Sequence, residues 1–168
     1  MEKGITLEEI YSVYMMDLYR YIYSLCKDQP LTEDIVQETF YRAYFHVETF
    51  EQEKVKPWLF KVAYHTFIDI VRKEKRISYY GDLEDVKKNL EVNSAEHEFM
   101  VKNRIDGWFE AVGQLPISKR KIIILRDYYH FSYHEIAEMF DISISKVKVT
   151  IFRGRKDIQK LLEDENRE

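Results

Sequence analysis

Little in this chain can turn the backbone sharply, because its 168 residues include only five glycines and three prolines. Tight strand-joining turns are therefore scarce, and helices are favoured. One cysteine, Cys26, excludes a disulfide framework. It ends an apolar helical stripe, so it reads as a buried thiol rather than a redox or nucleophilic group. No apolar run approaches the roughly 20 residues that span a bilayer. The opening MEKGITLEEI also lacks the apolar core of a signal peptide. A cytoplasmic protein without direct membrane insertion is expected. His130 and His134 stand four apart, but there is no HExxH, no cysteine pair and no companion carboxylate at zinc spacing. No metal or other cofactor is expected. A di-metal bundle enzyme would need paired Glu-x-x-His repeats, which are missing, so the chain is not read as an enzyme.

What is present is apolar and aromatic enough to fold: 45% hydrophobic residues against 33% charged ones exclude a disordered chain. The net charge of −4 argues against a free-standing, non-specific nucleic-acid binder, since phosphate contacts need lysine and arginine. The charge is segregated, however. Residues 8–53 carry a balance of −7, 54–76 of +5, 77–98 of −4 and 143–160 of +5. Such blocks imply separate surfaces for separate partners.

Leu7, Ile10, Tyr11, Tyr14, Leu18, Tyr21, Ile22 and Leu25 recur at three- and four-residue steps, the period of one helix face. KDQP ends that helix, and Thr32 is expected to N-cap a second one running to about His46, with Glu33 and Asp34 in its first turn. VETFEQEKV reads as a loop. Pro57 then marks the first helical position of KPWLFKVAYHTFIDIVRKEKR. Leu59, Ala63, Phe67 and Ile70 form its apolar stripe, leaving cations and the rings of Tyr64 and His65 outside it. Basic plus aromatic suits single-stranded or opened DNA.

Periodicity fails from about Ile77 to Glu98, and the length of this acidic stretch exceeds an ordinary connection inside one compact domain. The expected organisation is an all-α chain of two small helical domains, 1–76 and 99–168, joined by a flexible acidic linker, 77–98. The second lobe resumes with Val101, Ile105, Phe109 and Val112 and reaches FSYHEIAEMFDISISKVKVTIFRGRKDIQKLL. Ser132 and Glu135 form a capping box there. Ala137 is small where two helices must cross, and Asp141 occupies a turn that favours a left-handed backbone. Ser143 or Ser145 can cap the next helix, whose inner stripe is expected to be Ile144, Val147 and Ile151. This is the pattern of a helix-turn-helix. Lys146, Lys148, Val149, Thr150, Phe152 and Arg153 remain for DNA: cations for guanine edges or phosphates, Val149 and Thr150 for thymine methyl groups.

DIVQETFYRAY, KPWLFKVAYHTFIDIVRKEKR, the acidic linker and SYHEIAEMFDISISKVKVTIFRGRK, in this order and spacing, resemble the bacterial extracytoplasmic-function (ECF) sigma factors, and especially those of Bacillus-like bacteria. The resemblance runs from about Leu7 to Leu162. It implies a transcription initiation factor, with a sigma-2-like first lobe and a sigma-4-like second, that binds the clamp and flap regions of core RNA polymerase and promoter DNA. Asp34, Ile35, Gln37, Glu38 and Phe40 would meet the polymerase clamp, which gives the acidic helix a protein partner. Phe50, Lys61, Tyr64, His65, Arg72 and Lys73 would open and read the minus-ten element, and the recognition helix the minus-thirty-five element. An anti-sigma factor, possibly membrane-bound, is a further implied partner. Tyr64 and His65 replace a common Arg-Asn pair, and Val149 and Thr150 replace frequent Ser and Arg, so the promoter sequence does not carry over. The competing reading is a stand-alone helix-turn-helix regulator.

Overall fold

The computed structural model describes residues 4–78 and 106–167. The chain divides into two compact units, Met1–Val92 and Asn93–Glu168, and every element in the described residues is helical. The expected linker lies outside the described residues except at Ile77 and Ser78, which continue a helix. Val101 and Ile105 also lie outside them.

In the first unit α1 (Leu7–Cys26), α2 (Gln29–Tyr44) and α3 (Gln52–Ser78) pack pairwise. Thr6 and Glu9 start α1 with a capping box: the Thr6 hydroxyl accepts the Glu9 N–H at 3.2 Å and the Glu9 carboxylate accepts the Thr6 N–H at 2.9 Å. Lys27 ends it in the left-handed conformation, φ 53°. Ile10, Leu18, Tyr21, Ile22, Ile35, Val55, Leu59, Phe60 and Ala63 are wholly buried. Each large apolar side chain among them contributes about 1.5–3 kcal/mol.

Two helix starts differ from expectation. α2 begins at Gln29, capped by Asp28, whose carboxylate accepts the Leu31 N–H at 3.0 Å. Pro30 fits because a first-turn N–H has no helical partner to lose. Thr32 is buried instead, donating to the Asp28 carbonyl at 2.7 Å and lying 3.2 Å from the Cys26 Sγ. α3 begins five residues before Pro57, which sits inside the helix, and Val47–Thr49 forms a short 3-10 turn in the expected loop. Pro57 removes one helical hydrogen bond, and the carbonyl it leaves belongs to Glu53, an exposed residue that water can reach.

The second unit holds α4 (Asp106–Gly113), α5 (Ile117–Ile123), α6 (Tyr133–Phe140) and α7 (Ile144–Glu165). A wider turn over Ile124–Tyr128 extends α5, with the Tyr129 N–H reaching the Ile124 carbonyl five residues back at 3.1 Å. α7 packs against α4, α5 and α6. Polar ties secure it as well: Lys119 reaches Asp157 at 2.6 Å, and Arg155 grips Asp127 with two nitrogens.

Candidate interfaces for protein and nucleic acid

α2 carries the acidic face. Asp34 and Gln37 are exposed, and Glu38 is half-exposed with its carboxylate 2.9 Å from the Arg42 Nε. Ile35 is wholly buried and Phe40 nearly so, its ring edge-on to Tyr11 at 4.9 Å. This corrects the expected interface, because both side chains hold α2 against its own lobe and neither is available to a partner. The same face continues into Tyr41, Tyr44 and Phe45, exposed at 62%, 61% and 64%. The sequence reading missed these three; their steps of four, seven and eight from Gln37 were the available signal.

Along α3 the side chains of Lys61, His65, Arg72 and Lys73 are exposed. Lys61, His65 and Arg72 share one side of the helix, four and then seven residues apart. Tyr64 does not join them. Its ring is 7% exposed and packs toward Phe67, so the expected pairing of Tyr64 with His65 as outward contacts reduces to His65. Phe60 is buried, and so is Phe67 of the expected apolar stripe. Before α3, Phe50 lies 4.9 Å edge-on to Trp58, and His46 stands 5.3 Å from the same ring. Phe50 therefore belongs to a ring cluster one turn from Lys61.

The helix-turn-helix forms as its sequence pattern implied. Ser132 and Glu135 make the box, and Asp141 adopts φ 53°, ψ 52°. The Ile142 N–H closes the turn on the Ala137 carbonyl at 3.0 Å, and Ser143 caps α7 through the Lys146 N–H. Val147, Ile151, Gly154 and Ile158 are its buried row. Ile144 is not part of it, which corrects the expected stripe; at the first helical position it faces solvent. Lys146, Lys148, Val149, Phe152 and Arg153 are exposed and Thr150 is half-buried. Aromatic faces orient four cations: Arg126 lies 4.4 Å and Lys148 5.7 Å from the Tyr133 ring centre, Lys156 lies 4.6 Å from that of Phe152, and Lys121 lies 4.5 Å from that of Phe140.

Two family descriptions match these two bodies, Sigma-70 region 2 over residues 10–77 and Sigma-70 region 4 over residues 108–158. SigM, an ECF RNA polymerase sigma factor of Bacillus subtilis, is 38% identical over 157 residues, covering 93% of this chain and 94% of the relative. The chain belongs to the ECF sigma factors. SigX of the same organism is 32% identical, covering 94% of this chain and 84% of its own length. Among solved structures, the sigma factor RpoE of Bartonella quintana in complex with the anti-sigma factor NepR shares the fold with a TM-score of 0.73 at 24% identity, over 93% of this chain and 96% of that one. CnrH in complex with the cytosolic domain of CnrY gives 0.62 at 19%, over 94% and 88%.

Sigma factors are transcription initiation factors that bind core RNA polymerase and promoter DNA, not enzymes. The chemistry of the ECF sigma factor described here is accordingly that of docking surfaces. Among the described residues no group of His, Cys, Asp or Glu is arranged to hold a metal, and no helix is long and apolar enough to cross a membrane. Burial pushes the Cys26 thiol above its ordinary pKa, and the hydrogen bond with Thr32 only partly offsets that. The thiol therefore stays neutral and structural. The hydrogen bonds from Arg155 to Asp127 raise the Arg155 pKa, and the pair ties α7 to the turn that extends α5.

Proposed function

We propose that residues 1–76 bind the clamp of core RNA polymerase through Asp34, Gln37 and Glu38 and open the minus-ten element with Phe50, Lys61, His65, Arg72 and Lys73. Residues 77–98 tether this lobe to residues 99–168, which engage the polymerase flap and read the minus-thirty-five duplex with Lys146, Lys148, Val149, Thr150, Phe152 and Arg153. One observation carries the reading: a single three-helix lobe presents carboxylates on α2 but cations beside a ring cluster on α3. The first surface repels phosphate and suits a protein; the second attracts phosphate and offers flat faces to unpaired bases. Strand opening then needs no covalent step, since binding the open form more tightly than the duplex shifts the equilibrium. The protein works in the cytoplasm, held inactive by an anti-sigma factor that covers these surfaces.

Run-off transcription with purified core polymerase and fragmented genomic DNA tests this. Specific transcripts should appear only when the chain is added. They should fade with Gln37→Ala/Glu38→Ala and with Lys148→Ala/Arg153→Ala. Sequence-specific DNA binding without polymerase, and no transcripts with it, would replace this reading by that of a stand-alone regulator.

A further inference from the structure

The buried row of α7, Val147, Ile151, Gly154 and Ile158, defines which way the recognition helix faces. At 100° per residue, Val149 and Lys156 lie opposite that row, and of the two only Val149 stands in the N-terminal half of the helix, the half that meets base edges. It is 46% exposed, flanked along the outer face by Lys146 and Arg153, with Phe152 (60% exposed) beside them. An exposed valine on an arbitrary helix would mean nothing. Here it occupies the outermost point of the helix that enters the major groove, where the deepest contact with base edges is made.

That position has no atom able to donate or accept a hydrogen bond. Its polar neighbour is also committed, for the Thr150 hydroxyl donates to the Lys146 carbonyl at 2.7 Å and cannot donate to a base as well. Lys148 is drawn aside over the Tyr133 ring, beside Arg126, which groups these cations at the start of α6 where a backbone phosphate would run. Between Ser145 and Lys156 the outermost side chains of α7 are thus apolar, Val149 and Phe152, with Lys146 and Arg153 along one margin and Lys148 along the other. The major groove offers one apolar feature among its base edges, the C5-methyl group of thymine.

Resting on the sigma-factor reading, we propose that Val149 is a specificity-determining residue that selects thymine in the minus-thirty-five element through its C5-methyl group, with the flanking cations serving phosphates. A 5-methylcytosine at the same place is the other base that presents this group. Selection against guanine follows from the missing donor, not from an added clash.

The test uses the full chain with core polymerase. A minus-thirty-five sequence is first selected from a randomised promoter library, and each thymine in it is then replaced singly by uracil, which removes only the methyl group. At one or two positions uracil should weaken holoenzyme binding by roughly three- to fivefold, the effect of losing about one buried methyl. With Val149→Ala that difference should fall below about twofold, on a helix whose fold does not depend on this exposed side chain. If every thymine tolerates uracil in the wild type, or if the same position stays sensitive in Val149→Ala, the assignment is overturned. Enrichment of a promoter with specific transcription, but without uracil sensitivity, would overturn this inference and leave the sigma-factor reading standing. Failure to enrich any promoter would instead overturn both.

Discussion

Gly154 of α7 lies so close to Ile123 of α5 that a β-carbon placed there would come within 2.8 Å of the isoleucine Cγ1 and Cδ1. Ile123 is wholly buried, so its side chain has little room to retreat. Alanine at 154 would gain about 1 kcal/mol of helix propensity but meet an overpacking cost of about 1–3 kcal/mol. Gly154→Ala should therefore destabilise the second unit, and Ile123→Val, which removes Cδ1, should recover part of the loss. Native-state hydrogen exchange of the α7 amides would measure both. Strict additivity of the two substitutions would contradict the close contact.

Burial separates two roles on α2 that its sequence motif merges. Ile35→Ala should cost about 2–5 kcal/mol of stability in the first unit, because it leaves a cavity in a closed core. Gln37→Ala/Glu38→Ala should leave stability within about 0.5 kcal/mol, since surface substitutions rarely cost more, and should weaken core-polymerase binding at least about tenfold. Thermal melting paired with competition binding distinguishes the two. Equal losses of stability in both variants would refute the division.

Alkaline pH should act on the first unit through Cys26. Its folded pKa is raised, chiefly by burial, so folding favours the neutral thiol. That contribution is fully present below the ordinary thiol pKa and is lost as pH rises through the raised, folded value. Stability of the first unit should fall less steeply between about pH 8 and about pH 11 in Cys26→Ala than in the wild type. At neutral pH, alkylation of Cys26 should be slow and should accelerate only under conditions that open α1 from α2. Parallel alkaline slopes for both proteins would count against this account.

Asp141 holds the helix-turn-helix turn in the left-handed region. Glycine there should be tolerated or slightly stabilising, whereas Asp141→Val should cost about 1–2 kcal/mol. Ser132→Ala should cost about 1 kcal/mol by removing the cap of α6. Chemical denaturation followed at the second unit checks the series. A stable Asp141→Val variant would show that the turn is not held as described.

The parts of this molecule that were legible in its sequence are those decided within one or two turns of chain. Ser132, Glu135 and Asp141 act on backbone groups three or four residues away, so the helix-turn-helix was legible, with its second cap left open between Ser143 and Ser145. The start of α2 could not. Asp28 and Thr32 are both able to cap a helix, and the choice rests on Thr32 being buried beside Cys26, a tertiary fact. Ile144 misled for a related reason, since a first helical residue matches an apolar period before the helix has established which way it faces. On α2 and α3 the family resemblance identified the helices but not their outward sides. Ile35, Phe40 and Tyr64 were therefore counted among contacts although the core encloses them. Tyr41, Tyr44 and Phe45 were passed over because aromatic residues are so common in this chain.

The Glu38–Arg42 pair bears on the docking of α2 proposed above. Both side chains are nearly half-exposed, and an intrahelical pair of that kind is worth only about 0.3–0.5 kcal/mol. Until a partner arrives, the guanidinium masks one carboxylate of α2 and softens its repulsion of nearby phosphate. In that proposed docking, a cation of the polymerase would replace Arg42 at little cost, and the released guanidinium would then find a second acceptor there. In that docking Arg42 would serve as a removable counterion, one helical turn from the charge it covers.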